Sequence, residues 1–453
     1  MGLWRSILDS ARSPKKIFPG WWVVSACAAI GAYGGGVYFY GFTLFFNPLK
    51  DELGITSTQA SLVFSLTRLE GAFEGALVGF LIDRLGARKI MMVGIPVVGV
   101  GYILWATVVH SYMALLVVYV GIIALGVNGG FFHPALAVAN NWFIRRRALA
   151  MAVISTAVGV GGAIIVPVVG YVIDNFGWRP MAMGAGVFLL VFIWPLVLFI
   201  KHSPEDVGLL PDGDKPRNNS GELSSEDTDM DSGHRLGGSS EEIDEVTFSI
   251  GEAFRTRAMW ILIAGITLRF TSHTAIMVHL APILQAQGMS TTKAGAAIGL
   301  LVFLSIPGRI AVGFLGDRFS KHRVVASLLV LQCLAMMVLY GANSTFGLYL
   351  FIVLWAAAYG AGILNWAIVG DYFGRSRFAT LRGLMGLVYS WGAVIGPVYA
   401  GWIHDKNGDY TVAIGVFLVV TVLSVVCFWF CTPPGLPQSY RLARSGSEID
   451  ESD

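Results

Sequence analysis

Three arginines, Arg68, Arg269 and Arg309, stand inside long apolar runs of this 453-residue chain. A guanidinium in such a setting costs on the order of several kcal/mol unless it is paired or faces water, so each marks a functional position by default. The planar fork of donors on arginine matches a carboxylate, which makes anion binding the chemistry to expect. Arg309 comes eight residues before Asp317, roughly 12 Å inside the end of its run at the rise of a helix. Arg269 is also deep, and either joins Arg309 around a dianion or holds backbone carbonyls. Glu70 and Glu74 are one helical turn apart and share a face, whereas Arg68, two residues before Glu70, points away from it. Two close carboxylates in a poor dielectric make either one a candidate proton carrier. The structural alternative pairs them with Arg269 or Arg309 on a neighbouring helix.

The elements that must position these groups follow from composition. Hydrophobic residues make up 55% of the chain, charged residues only 13%, and the mean hydropathy is +0.66. A soluble globule carries about 25% charged residues. Apolar spans occur near Trp21–Phe46, Ala60–Ile82, Ile90–Val109, Tyr112–Trp142, Leu149–Ile173 and Met181–Ile200. A second six lie near Met259–Leu284, Ala294–Leu315, Val324–Tyr340, Phe346–Phe373, Leu384–Ile403 and Val412–Phe430. Most approach the roughly 20 residues a membrane-crossing helix needs, and they are continuous rather than alternating, which excludes a β-barrel. The fold expected is all-α and integral to the membrane, with twelve transmembrane helices. Met1–Gly20 is polar and amphipathic and the first apolar run is too long for a signal core, so that run is expected to remain and span.

A phrase is written twice. Gly79-Phe80-Leu81-Ile82-Asp83-Arg84-Leu85-Gly86-Ala87-Arg88-Lys89 returns as Gly313-Phe314-Leu315-Gly316-Asp317-Arg318-Phe319-Ser320-Lys321-His322-Arg323, an offset of 234 residues. Gly162-Ala163 leading through Pro167 to Asp174 is echoed by Gly392-Ala393 leading through Pro397 to Asp405, and Trp142-Phe143 by Tyr372-Phe373. The chain therefore reads as one six-helix unit duplicated into two pseudo-symmetric bundles. The divisions expected are a terminal segment 1–20, a bundle 21–201, an acidic Ser/Gly-rich linker 202–257, a bundle 258–431 and a tail 432–453. The linker and tail lack the apolar surface to fold alone. Outside the spans, lysine and arginine gather in the connections on the side of the termini. Only Lys50, Arg179, Lys293 and Lys406 fall in the opposite loops, which puts both termini in the cytoplasm.

The duplicated glycine-Asp-Arg-basic loop resembles the signature of the major facilitator superfamily. That resemblance implies two bundles rocking about a central site that opens to each side in turn. It implies gating by Asp83, Arg84 and Arg88 and by Asp317 and Arg318, with Asp83 facing the N-terminal end of the eleventh helix. Asn141-Trp142-Phe143-Ile144-Arg145-Arg146-Arg147-Ala148, Val278-His279-Leu280-Ala281-Pro282 and Pro307-Gly308-Arg309 are similar to the monocarboxylate transporter and oxalate:formate antiporter branch.

The branch implies small organic anions, most of all monocarboxylates, and Arg309 matches its substrate-binding arginine. Where the branch carries a lysine in the first helix and an aspartate before that arginine, this chain has Tyr40 and Ser305. Where oxalate carriers have a lysine in the eleventh helix it offers Tyr389, Ser390 and Trp391. Proton coupling then falls to Glu70, Glu74, His273 or His279, or the carrier exchanges anions or acts as a uniporter. Substrate contacts are expected from Arg309, Arg269, Tyr40, Asn128, His279, Asn365 and Tyr389. The runner-up is a drug or neutral-metabolite carrier with its arginines paired to Glu70 or Glu74, and a further alternative is a sensor that binds without transport.

Nothing points to an enzyme. The four cysteines have no metal-ligand spacing, and no glycine-rich phosphate loop ends in Lys-Ser or Lys-Thr, so gradients rather than ATP are the expected power source. No cofactor or metal is expected. The basic residues mark topology rather than nucleic-acid binding, and two intact half-repeats form one site, so a monomer in the lipid bilayer is the expected unit.

Overall fold

The computed structural model describes residues 18–144, 146–201, 203–210, 212, 248–342, 344–374 and 378–435. Among the described residues twelve helical segments cross the molecule. The first six are α1 (Gly20–Leu53), α2 (Ser57–Leu85), α3 (Ala87–Val108), α4 (Tyr112–Trp142), α5 (Arg147–Phe176) and α6 (Trp178–Phe199). The second six are α7 (Arg257–Ala286), α8 (Thr291–Arg318), α9 (Lys321–Tyr340), α10 in two pieces (Thr345–Ala358 and Ala361–Phe373), α11 (Phe378–Asn407) and α12 (Thr411–Trp429). Among the described residues there is no strand, and ten segments are long and apolar enough to cross a bilayer. The other two are α2, which carries Arg68, Glu70 and Glu74, and α10, which breaks at Tyr359-Gly360. The apolar run Phe346–Phe373 was expected as one helix. The break instead sets Gly360 against α8, where an added Cβ would meet Val312 and the Arg309 backbone.

Polar caps fix where the helices start. Thr56 and Gln59 form a reciprocal capping box on α2, and Ser111, Thr256, Ser290 and Ser344 cap α4, α7, α8 and α10 by accepting from a backbone N–H one turn on. Glycines fix how closely the helices pack. A Cβ on Gly161 of α5 would strike the backbone of Ala32, and one on Gly396 of α11 would strike the backbone of Thr271. Thus α5 lies on α1 as α11 lies on α7, the same contact made once in each half. Opposite Gly161, α1 widens over Gly35–Tyr40 and tightens over Gly41–Phe45, which turns Tyr40 inward.

The span expected as a linker, 202–257, falls mostly outside the described residues, as do 1–17 and 436–453. Its last part is a packed element rather than a tether. Ile250–Arg255 is a short helix with a Ser249–Glu252 capping box, and Phe248 is buried against Phe373 and donates its N–H to the Phe373 carbonyl.

The two halves meet through α5 on α8 and α2 on α11. The side-chain hydrogen bonds between them gather at the end opposite the termini. There the Asp405 carboxylate accepts from the Ser57 N–H at 2.7 Å, the Thr58 N–H at 2.8 Å and the Thr58 hydroxyl at 2.6 Å, capping the start of α2. At the repeat-related place, Asp174 accepts from the Thr292 hydroxyl at 2.7 Å and the Thr292 N–H at 3.4 Å, capping the start of α8. Each carboxylate sits at a positive helix end, as the macrodipole favours. Thr43 donates to the Val278 carbonyl at 2.8 Å, and Asn47 to Gln285 at 2.6 Å.

Candidate functional site

Between the halves lie two contiguous chambers of about 630 and about 350 Å³. They share a neck of Tyr40, Phe132, Val158, Phe270, His273 and Tyr359. The larger chamber holds Arg269 and Arg309, and the smaller holds Arg68.

Each arginine is positioned by a different element. The Arg309 guanidinium donates to the Tyr40 hydroxyl at 3.0 Å and stands 4.8 Å over the ring of Tyr359. The irregular stretch of α1 supplies the first contact and the break in α10 the second. Arg269 is 4% exposed and packs closely on Gly362 of α10, where a Cβ would sit 3.1 Å from the guanidinium. Its Nε–H is buried without a hydrogen-bond partner. Arg68 lies 5.8 and 5.9 Å from the rings of Phe39 and Phe42. Among the described residues the ion pairs are Lys50–Asp51, Arg179–Glu52 and Lys321–Asp371, all at helix ends. The cavity therefore carries three cations that no described carboxylate offsets.

The glutamates are elsewhere. Glu74 accepts from the Asn128 side-chain N–H at 2.6 Å, between α2 and α4, and Glu70 lies beside it with one carboxyl oxygen buried and unpartnered. Neither lines the chambers, and neither pairs with Arg269 or Arg309, so the alternative of a structural ion pair there is not what the structure shows. Arg68 lines the smaller chamber while the glutamates face α4, because they leave α2 on different sides.

His273 and Tyr40 are in the cavity wall. The His273 ring stacks on Trp355 at 5.5 Å, with Gln332 at 3.4 Å from its Nδ1. His279, expected at the substrate, is instead in the seal. It is fully buried, with its ring nitrogens 2.9 Å from the Pro397 carbonyl, 3.0 Å from Ser61 and 3.1 Å from the Tyr410 hydroxyl. It lies six residues beyond His273 and about 240° further round α7, so it leaves the helix on a different side although the neighbouring Met277 and Val278 line the smaller chamber. Asn128 is engaged by Glu74, and Asn365 is buried outside the lining with both side-chain polar atoms unpartnered. Tyr389 packs on Phe270 and Trp366 at the cavity edge.

Of the gating residues, the Asp83 side chain lies outside the described residues. Arg84, Asp317 and Arg318 are exposed, and Arg88 keeps a buried Nε–H without a partner. Sequence reasoning missed the aromatic neck, because Phe132 and Phe270 look like any core residue. It noted Asp174 and Asp405 as repeat markers without their capping role, which Thr58 and Thr292 at matching helix starts could have revealed.

The sequence profile described as the Major Facilitator Superfamily matches residues 22–368 and 310–448. The chain belongs to that superfamily. Its members are transporters rather than enzymes, and this transporter has two halves, joined by hydrogen bonds at one end, around a cationic cavity. Among its relatives, mouse monocarboxylate transporter 2 is 24% identical over 418 residues, covering 88% of this chain and 82% of the relative. Rat monocarboxylate transporter 13 is 27% identical, covering 88% and 86%. In structure the transporter is similar to a bacterial homologue of the human lysosomal transporter Spinster, solved inward-facing and unoccupied. The TM-score is 0.71 with 16% identity, and the match covers 92% of this chain and 97% of that one.

Proposed function

We propose that the transporter moves small organic anions, monocarboxylates among them, by alternating access, with Arg309 anchoring the carboxylate. The observation that carries this is the uncompensated Arg309 guanidinium, held by Tyr40 and Tyr359 at the wall of a cavity between the halves. Fixed but unneutralised, it offers a preorganised fork to one carboxylate. The monocarboxylate relatives agree with this choice. Arg269 adds charge beside it. The bundles are residues 21–201 and 258–431, joined by the acidic segment, with both termini in the cytoplasm and one chain as the working unit.

In that orientation, the hydrogen bonds of Asp405 and Asp174 close the outer end of the cavity. Opening outward releases Asp405 from α2 and Asp174 from α8, and the Asp83 and Asp317 loops then close the inner end. Protons, where they couple, are carried by the Glu70–Glu74 pair or by His273.

The test is thermal stabilisation of the purified protein by a panel of acids and their neutral amides, beside Arg309→Ala, since a ligand stabilises the native state by mass action. Stabilisation by an acid, absent for its amide and lost in the variant, is expected. Stabilisation only by neutral or cationic compounds, retained in the variant, would replace this reading with the drug-type carrier. Binding without uptake into vesicles would make the protein a sensor.

A further inference from the structure

The distribution of charge in the cavity goes further than a single anchored carboxylate. We propose that the preferred substrate is a dicarboxylate with an apolar spacer about the size of an aromatic ring. One carboxylate is held by Arg309 and Arg269, and the other by Arg68. This rests on the reading of Arg309 as a carboxylate anchor and adds a second anchor to it.

Charge is the first support. Three guanidiniums face the chambers with no described carboxylate against them, so a bound monoanion leaves two charges uncompensated in an apolar enclosure. A dianion offsets one more. Their placement is the second support. Arg269 and Arg309 line only the larger chamber and Arg68 only the smaller, so the cations stand at the two ends of one space. What separates them is the neck, where Phe132, Phe270 and Tyr359 offer ring surface to a flat spacer. Size is the third. Chambers of about 630 and 350 Å³ lie in the range of sites that enclose drug-sized ligands, far beyond a two- or three-carbon acid.

The donors are also free. Arg68 is held through ring contacts with Phe39 and Phe42, which leave its N–H groups available, and the Arg269 Nε–H is buried with nothing accepting from it. The nearest carboxylates on the same helix do not compete for Arg68. Glu74 is engaged by Asn128, and Glu70 lies about 200° around the helix from Arg68.

The experiment is calorimetric titration of the purified full chain, wild type, Arg68→Gln and Arg68→Lys, with terephthalate, adipate, benzoate and terephthalamide. Thermal unfolding without ligand confirms that each variant is folded. In the wild type terephthalate should bind at least about tenfold tighter than benzoate. Arg68→Gln should remove that preference while changing benzoate affinity by less than about threefold, and Arg68→Lys should restore part of it. Benzoate binding as tightly as terephthalate, unaffected by Arg68→Gln, overturns the second anchor and leaves the Arg309 anchor standing. Failure of every acid to bind overturns both.

Discussion

The two ends of the space between the halves are built on opposite principles. At the sealed end the polar groups that join the halves have partners: Asp405 takes three hydrogen bonds, Asp174 two, and His279 is surrounded by Ser61, Pro397 and Tyr410. In the cavity Arg309 has one hydrogen bond to a neutral hydroxyl, Arg269 leaves Nε–H unmet, and Arg68 rests on rings. Satisfied buried groups stabilise one arrangement, whereas unsatisfied ones retain their interaction energy for an incoming partner. Polar groups between the halves thus divide into those that hold a conformation and those that wait for a ligand.

The largest way to break that division is at the helix contacts beneath both regions. Gly161→Val drives a side chain into the Ala32 backbone and should destabilise the protein by about 3 kcal/mol or more, read as a lowered unfolding temperature in detergent. His279→Ala should come next, at about 2 kcal/mol, with acid affinity changed by less than about twofold. A large loss of affinity would move His279 from the seal to the site.

Ser305→Asp sharpens the contrast from the cavity side, because it puts a carboxylate one turn from Arg309. Acid affinity at neutral pH should fall about tenfold and return as the pH is lowered to protonate the new group. An unchanged affinity would mean that Arg309 is not the anchor. The smallest effect belongs to the latches. Asp405→Ala and Asp174→Ala should each weaken the seal by about 1 kcal/mol, raising maleimide labelling at Leu44→Cys in a cysteine-free background. Equal labelling in all variants would show that these carboxylates do not hold the seal closed.

The superfamily, the duplication and the arginines were legible in the sequence because each is written in residue type and spacing: apolar runs of membrane length, a loop phrase repeated after 234 residues, and guanidiniums where none is tolerated without purpose. What faces the cavity was legible only in part. His273 and His279 share one helix and six residues separate them, yet one lines the chambers and the other closes the far end. That difference is one of helix phase, since six residues turn α7 by about 240°, and which side of α7 faces the cavity is set by how the halves pack. The break at Tyr359-Gly360 lies in a continuous apolar run, and its meaning is tertiary: glycine admits α8, and Tyr359 covers Arg309. The Glu70–Glu74 face was read correctly from helix geometry, but its partner, Asn128, is on another helix, and no spacing within α2 points to it.

The most direct test of the central claim is uptake into proteoliposomes of the acid that most stabilises the purified protein, comparing wild type with Arg309→Ala and Asp405→Ala. The account predicts saturable uptake by the wild type, none by Arg309→Ala, and retained binding with altered uptake rate for Asp405→Ala. Wild-type uptake rates in Arg309→Ala would contradict it.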